Sequence, residues 1–271
     1  PPNHAPPGYG NPHIYEEFRI EFRSFLDEGG KSIDAFLGSD RGARFLLPAR
    51  LAMSLIISEH EIEEHLLTPR STEDHWYPLL YERLTKGRTW ASLDLSEVPV
   101  ITFNYDRSLE RYLYLSLKKD FETSEFELSQ KIRALDVTHV YGAIGEAWPG
   151  DGHEMYAPRT GTDQYAIATR RLKLIGQDDD SRSARETQKL IRAKLSVADT
   201  ICFLGFGYDT DNLKVLGFPS ANEGTDVKRI VGTAYRLSEA QKAKALAQIG
   251  PHASLHDTNC LALLCRECIF L

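Results

Sequence analysis

The chain has 271 residues, of which 42% are hydrophobic, and a formal net charge of −7. This composition can bury a full core, and the negative charge, which is spread along the sequence, argues against nucleic acid or an anionic membrane as a partner. The sequence contains no apolar run near the roughly 18 residues that span a bilayer, and it opens without a signal-peptide pattern. Three of the four cysteines crowd at the C-terminus, which makes no disulfide framework, so we expect a reduced, cytoplasmic protein.

The N-terminal third of the chain is predicted to be helical. Residues 1–13 are rich in Pro and Gly and form a predicted tail or linker. Apolar residues then recur at helical spacing, which predicts helices over 14–28, 47–66 and 75–84. The run from His60 to His65 resembles a zinc-protease motif, but its histidines are five residues apart and their rings diverge, so a solvated charged face is predicted there.

Residues 98–113 form the stretch around which the rest of the chain is organised. A short apolar strand ends at Phe103, and a turn through Asn104, Tyr105 and Asp106 leads into a helix with Asp106 as its expected N-cap. The apolar face of that helix comprises Leu109, Tyr112, Leu113 and Leu117. Open α/β sheets bind ligands where the carboxyl end of a strand leads through polar residues into the N-terminus of a helix. An ordinary capped turn has the same sequence pattern.

The rest of the chain alternates between predicted helices and strands. Strands are expected from Val137 onward, at 200–204 and at 227–232, and helices at 126–135, 183–198, 237–249 and 256–270, while 146–182 is an expected loop or small subdomain. This alternation predicts a single α/β domain over 14–271, with a Rossmann-like parallel sheet flanked by helices. Residues 96–271 form its expected core, and 14–95 form a helical insertion or cap.

Three strand ends carry residues suited to a nucleotide site, and in a parallel sheet they would meet at one edge. Asn104 and Asp106 offer an amide and a carboxylate, and His139 or Tyr141 offers a donor or acceptor near a ribose. Gly205 and Gly207 allow backbone N–H groups to approach a pyrophosphate, although the third Gly of the dinucleotide fingerprint is missing. Each of these features alone also has a structural explanation.

In this order and spacing, the strand ends resemble the motifs of the sirtuin-like family of NAD-consuming proteins. That family has a strand-end Thr-x-Asn-x-Asp, a strand that ends in His-Gly and a strand that ends in a Gly-rich turn. The chain is similar at 102–106, at 141–142 and at 205–207. The form Thr-Phe-Asn-Tyr-Asp is closest to the bacterial sirtuin-like NAD hydrolases of phage-defence systems, and the resemblance covers residues 95–235.

The resemblance implies that NAD is the substrate or ligand, with Asn104 and Asp106 at its nicotinamide end and 205–207 at its phosphates and ribose. Breaking the nicotinamide–ribose bond passes through an oxocarbenium-like state, which a held carboxamide and a base near water or a ribose hydroxyl would favour. The implied catalytic residues are Asn104, Asp106, His139 and Tyr141. The other implied NAD-binding residues are Thr102, Phe103, Tyr105, Gly142, Gly205, Phe206, Gly207, Asn212 and Thr233.

The chain departs from the family pattern in three places. Tyr141 stands where the family has its catalytic His, and His139, two residues earlier and on the same face of a strand, either substitutes for it or leaves a site that binds NAD without turnover. Residues 1–40 contain no glycine-rich phosphate loop, so either further chain supplies one or the site is incomplete. Residues 143–201 contain no Cys, which argues against the zinc module of the protein deacylases.

The leading hypothesis is therefore hydrolysis of NAD to nicotinamide and ADP-ribose, as a bacterial antiviral defence effector. The alternative is an inactive sensor that binds NAD or ADP-ribose to drive assembly, and an NAD-dependent deacylase ranks third. By analogy, assembly with a second copy or a partner protein would hold a toxic hydrolase in check. His256, Cys260, Cys265 and Cys268 are interpreted as part of an apolar helix, and no metal is expected.

Overall fold

The structure is a computed structural model, and it describes residues 13–29, 33–69, 74–145, 172, 182–219, 229–250 and 252–267. Within these ranges the chain has a mixed α/β fold, with parallel strands flanked by helices. The predicted fold class and the helical N-terminal third are confirmed. Apart from His13, Leu172 and Arg182, the predicted tail and the predicted 146–182 loop lie outside the described residues.

The described elements follow in chain order. Before the first strand lie α1 (His13–Asp27), α2 (Ile33–Leu37), a 3₁₀ turn (Ala43–Phe45), α3 (Leu46–His60), α4 (Glu63–Leu67) and α5 (Tyr77–Thr85). They are followed by β1 (Val100–Thr102), α6 (Ser108–Asp120), α7 (Glu125–Ile132), β2 (Val137–His139) and α8 (Arg182–Val197). The C-terminal elements are β3 (Thr200–Phe203), α9 (Thr210–Leu216), β4 (Arg229–Thr233), α10 (Glu239–Ile249), β5 (Ala253–His256) and α11 (Cys260–Arg266). None of these helices is long and apolar enough to cross a bilayer.

The chain divides into two compact units. Unit 1 comprises Pro1–Leu67, Thr102–Ile132 and His139–Ser181, and unit 2 comprises Thr68–Ile101, Arg133–Thr138 and Arg182–Leu271. Unit 1 thus joins the first helices to α6 and α7, and the division does not follow the predicted boundary at residue 95. The expectation of a single domain stays a prediction.

Unit 1 is built on a phenylalanine core. Phe18 from the predicted apolar stripe of α1 packs with Phe36 and Phe45, which are fully buried. Helix α6 packs on α4 and α7. Its predicted apolar face is buried as expected, at Leu109, Tyr112, Leu113 and Leu117. Burial of each such side chain contributes about 1.5–3 kcal/mol, so packing rather than intrinsic helix propensity fixes the orientation of α6.

Unit 2 is built on a three-stranded parallel sheet in the order β3-β4-β5. Its central strand β4 is buried from Ile230 to Thr233, as expected for a strand covered on both faces. Helix α10 packs on β5 and α11 packs on β4. The N-terminus of α10 is fixed by a capping box in which the Ser238 hydroxyl accepts from the Gln241 N–H and the Gln241 side chain accepts from the Ser238 N–H.

The predicted continuous helix over 47–66 is wrong. Helix α3 ends at His60, and α4 begins only at Glu63. The predicted solvated charged face there is correct for His60, Glu64 and His65, which are exposed. It is wrong for Glu61, whose side chain is only 1% exposed and is paired with Arg107. The backbone of Glu61 has a φ of −77° and a ψ of 78°, which is not helical, and the apolar spacing of the sequence does not reveal this break.

The predicted C-terminal helix over 256–270 is wrong at its start. Residues Ala253–His256 form β5, which pairs in parallel with β4, and α11 begins at Cys260. The Asn259 side chain accepts from the Ala262 N–H, and the Asp74 carboxylate accepts from the N–H groups of Cys260 and Leu261. These caps fix the helix start four residues later than predicted.

Candidate functional site

The junction between β1 and α6 presents polar side chains as the sequence predicted. Strand β1 pairs with β2, and the Val140 N–H donates to the Thr102 carbonyl over 2.9 Å. Asn104 is exposed, and its N–H donates to Thr102 Oγ1 over 3.1 Å. The N-cap position of α6 is Arg107, one residue later than predicted, but Asp106 Oδ1 accepts from the Ser108 N–H over 3.1 Å. The turn therefore holds the backbone of Asn104 and the side chain of Asp106 in place before the first turn of α6.

His139, the last residue of β2, is held at both ring nitrogens. Its Nδ1 lies 2.8 Å from the Asn104 carbonyl oxygen, and its Nε2 lies 2.7 Å from Glu110 Oε1. The His139 and Glu110 side chains are only 12% and 10% exposed. A carbonyl oxygen can only accept a hydrogen bond, so Nδ1 carries a proton and its N–H donates a hydrogen bond to the Asn104 carbonyl. In this arrangement neither nitrogen is open to a ligand.

The surroundings of His139 favour its charged form. Burial lowers its pKa, but the hydrogen bond and negative charge of Glu110 raise it, together with the Asn104 carbonyl and the charge of Asp106. The balance is a pKa above the ordinary value of 6.5. His139 is therefore a donor in this site, and the predicted role of a base requires it to give up its bond to Glu110.

An open cleft of about 380 Å³ lies beside Asp106. It is within the size range of small-molecule sites, roughly 300–1,000 Å³. Two apolar side chains of α3 and several polar groups line it: Ile56, Ile57, His60, Glu61, Asp106 and Ser108. Asp106 is therefore a predicted catalytic residue that lies at the wall of a cavity in the described part of the chain.

A buried ion pair supports this wall. Arg107 Nε donates to Glu61 Oε1 over 3.0 Å, and a second guanidinium N–H donates to Glu61 Oε2. The two side chains are 0% and 1% exposed. A bidentate pair fixes both partners in direction as well as in distance, so it ties the end of α3 to the start of α6.

Tyr141 and Gly142 lie in a turn rather than in a strand. Strand β2 ends at His139, and the Gly142 N–H donates back to the His139 carbonyl over 3.2 Å. Gly142 has a φ of +78°, which suits glycine. The argument that His139 and Tyr141 share the face of one strand is therefore wrong. Tyr141 is buried, and its ring and that of Phe103 pack edge to face at a centroid distance of 5.7 Å.

In unit 2, the predicted phosphate-binding turn makes contacts within its own unit. The Gly205 N–H donates to Thr233 Oγ1 over 2.8 Å, and the Tyr208 hydroxyl donates to the Thr233 carbonyl over 2.9 Å. Gly205 and Gly207 are exposed, whereas the Phe206 ring stacks on Phe203. The Asn212 N–H donates to Asp209 Oδ1 at the start of α9.

The residues predicted from the sequence thus fall into two groups. Unit 1 contains Thr102, Phe103, Asn104, Tyr105, Asp106, His139, Tyr141 and Gly142. Unit 2 contains Gly205, Phe206, Gly207, Asn212 and Thr233. Hydrogen bonds join His139 to Asn104 in the first group and Gly205 to Thr233 in the second. That both groups bind one NAD molecule stays a prediction.

The sequence predictions missed Glu110, although the sequence contains a signal for it. Glu110 precedes Leu113 by three residues and Leu117 by seven, so it lies on the buried stripe of α6. A carboxylate on such a stripe needs a partner, which makes it a candidate for function. No comparable signal identifies Glu61, because it stands in a run of polar and charged residues from Ser58 to Glu61.

No group of three or more potential metal ligands comes together among the residues that the structure describes. Cys260 is buried and Cys265 is exposed, and Cys268 lies outside the described residues. Burial raises the pKa of the Cys260 thiol to about 11, with Asp74 adding to the effect. A thiol with a raised pKa is a poor nucleophile at neutral pH.

Comparison with protein-family models, with curated proteins and with solved structures finds no match to this chain.

Proposed function

We propose that the protein binds NAD and hydrolyses it to nicotinamide and ADP-ribose, with the β1–α6 junction of unit 1 at the nicotinamide end. The observation that carries the proposal is the position of Asp106, whose carboxylate is held by the Ser108 N–H at the wall of the cleft. The resemblance of 102–106 to the sirtuin-like motif supports the choice of NAD. A cytoplasmic location and a role in bacterial antiviral defence belong to the same proposal.

The chemistry suits these side chains. As the bond between nicotinamide and ribose breaks, positive charge develops on the ribose, and the Asp106 carboxylate offsets it. Water adds at the ribose carbon, and Asp106 accepts the proton that the water loses. Nicotinamide leaves as the neutral base, and ADP-ribose is the second product. The exposed Asn104 amide can donate to and accept from the nicotinamide carboxamide.

A second candidate function is an NAD or ADP-ribose sensor without turnover. It is favoured by His139, whose two nitrogens are occupied by Asn104 and Glu110 and which therefore offers no base to a ligand. In this case NAD would bind at the same junction, and Asp106 would contribute to affinity alone.

Nicotinamide release from NAD by the purified protein tests both candidates. Asp106→Asn and Asn104→Ala are compared with exposed controls of the same chemistry, Asp211→Asn and Gln130→Ala. For a hydrolase, Asp106→Asn lowers kcat by about 10²–10⁴, as expected for loss of a general base, and the controls retain wild-type turnover. Asn104→Ala raises KM.

Calorimetric titration with NAD separates the outcomes. Binding without nicotinamide release, weakened by Asn104→Ala, overturns the hydrolase and leaves the sensor. Neither binding nor release overturns both. If Asp106→Asn releases nicotinamide at the wild-type rate, the protein is still an NAD hydrolase but Asp106 is not a catalytic residue.

A further inference from the structure

The geometry of the Glu110–His139 pair requires a proton between His139 Nε2 and Glu110 Oε1. His139 Nδ1 must donate to the Asn104 carbonyl, so in a neutral ring Nε2 would carry a lone pair. That lone pair would face the Glu110 carboxylate at 2.7 Å, and two acceptors repel each other at this distance. A second proton therefore lies between Nε2 and Oε1.

Through this proton, the buried carboxylate of Glu110 is linked to the backbone of Asn104, whose side chain is exposed. Glu110 lies on the buried face of α6. Through His139 it holds the backbone carbonyl of Asn104, and the Asn104 N–H is held in turn by Thr102 Oγ1. Both peptide groups of Asn104 are restrained in this way, so the direction in which its side chain leaves the backbone depends on the pair.

We propose that Glu110 is a positioning residue of this site, which orients Asn104 through His139 only while the pair holds its shared proton. Loss of that proton places two acceptors against each other, so the ring turns or moves away and the Asn104 carbonyl loses its donor. The role of Asn104 in binding NAD rests on the proposed function, whereas the state of the proton does not.

Among the described residues, the charged groups that shift the pKa of His139 are both negative. They are Glu110 from α6 and Asp106 from the turn before α6, and the Asn104 carbonyl adds a partial negative charge. Each of them favours the imidazolium and opposes the effect of burial. The hydrogen bond between His139 and Glu110 is therefore lost as the pH rises through the pKa of His139.

Glu110→Gln is the informative variant because it keeps the shape and removes the charge. The amide can donate to the Nε2 lone pair of a neutral ring while Nδ1 still donates to Asn104. Glu110→Ala removes the partner altogether. Glu122→Gln, an exposed carboxylate before α7, is the matched control.

Nitrogen-15 NMR of the imidazole rings tests the proposal without any NAD. The His139 signals are assigned by their loss in His139→Gln, because the chain has nine histidines. In the wild type and in Glu122→Gln we expect an imidazolium at pH 7. In Glu110→Gln we expect a neutral ring with its proton on Nδ1, and a titration midpoint lower by about one pH unit or more.

The Asn104 side-chain amide signals report the positioning. We expect them to shift with the His139 titration in the wild type, to become independent of it in Glu110→Gln, and to broaden in Glu110→Ala. A His139 midpoint that is the same in Glu110→Gln and the wild type overturns the proposal, as do Asn104 signals unaffected by Glu110→Ala. These outcomes are distinct from a failure of the NAD assays. Such a failure would overturn the proposed function but not the shared proton of Glu110 and His139.

Discussion

Replacement of Arg107 by Met tests how much the buried pair with Glu61 contributes to stability. The two side chains are 0% and 1% exposed, and the guanidinium donates to both carboxylate oxygens. Methionine fills much of the same space without donating. The change therefore leaves the Glu61 carboxylate buried without the charge that balances it.

The expected magnitude follows from this burial. Removal of one partner from a buried ion pair costs about 3–5 kcal/mol, mostly because the remaining charge stays out of water. Domains of this kind have a free energy of unfolding of about 5–15 kcal/mol, so the loss is a large part of the total. The double variant Glu61→Leu with Arg107→Met removes both charges, and we expect it to recover most of the loss.

Urea denaturation followed by circular dichroism measures these free energies, and hydrogen exchange over 46–67 and 108–120 locates the change. Arg41→Met is the matched control, because Arg41 pairs with Glu21 and Glu28 at the surface and its side chain is 41% exposed. We expect it to cost about 0–1 kcal/mol. A cost for Arg107→Met as small as that of the control, or a double variant no more stable than the single one, would refute the reasoning.

Two further predictions follow from the described contacts. In β4, a Cβ at Gly232 would lie 2.1 Å from the Tyr208 hydroxyl, which is buried and donates to Thr233, so Gly232→Ala should cost about 1–3 kcal/mol in thermal denaturation. Gly207→Ala, where nothing lies within 4 Å, should cost far less, and equal costs would contradict the clash. The raised pKa of His139 means that its contribution to folding is fully present below pH 6.5 and is lost as the pH rises through that raised pKa. The free energy of unfolding should therefore fall more between pH 6 and 9 (roughly the range that spans this transition) in the wild type than in Glu110→Gln, and a parallel fall in both would exclude His139 as the cause.

The sequence predicted elements well where the local pattern and the tertiary environment agree. β3 is an apolar run in which the structure buries Ile201 and Phe203. Helix α10 begins directly after its predicted N-cap Ser238, because the cap partner Gln241 is only three residues away. β5 was missed because Ala253–His256 contains no β-branched residue, and its strand conformation comes from pairing with the edge of β4. Local propensity has little weight where a ladder of hydrogen bonds is available.

The candidate site was predictable only in the parts that depend on neighbouring residues of the sequence. The β1–α6 turn is a local feature, and Asn104 and Asp106 emerge from it as expected. The partners of its charged groups are not local, since His139 meets Glu110 from 29 residues away and Arg107 meets Glu61 from 46 residues away. One sequence does not reveal such pairs, although a buried Glu on an apolar helical stripe shows that a partner must exist.

The two buried pairs at the start of α6 have different consequences, and their charges explain why. Arg107 and Glu61 form a fully buried bidentate pair between the end of α3 and the start of α6, so this pair supports the fold. The pair of Glu110 and His139 depends on a proton, and the charges that raise the pKa of His139 come from Glu110 and Asp106, not from Arg107. Arg107→Met should therefore weaken the fold and leave the His139 titration where it is. If that titration moved in Arg107→Met, the two pairs would form one network, and the stability of unit 1 could not be separated from the positioning of Asn104.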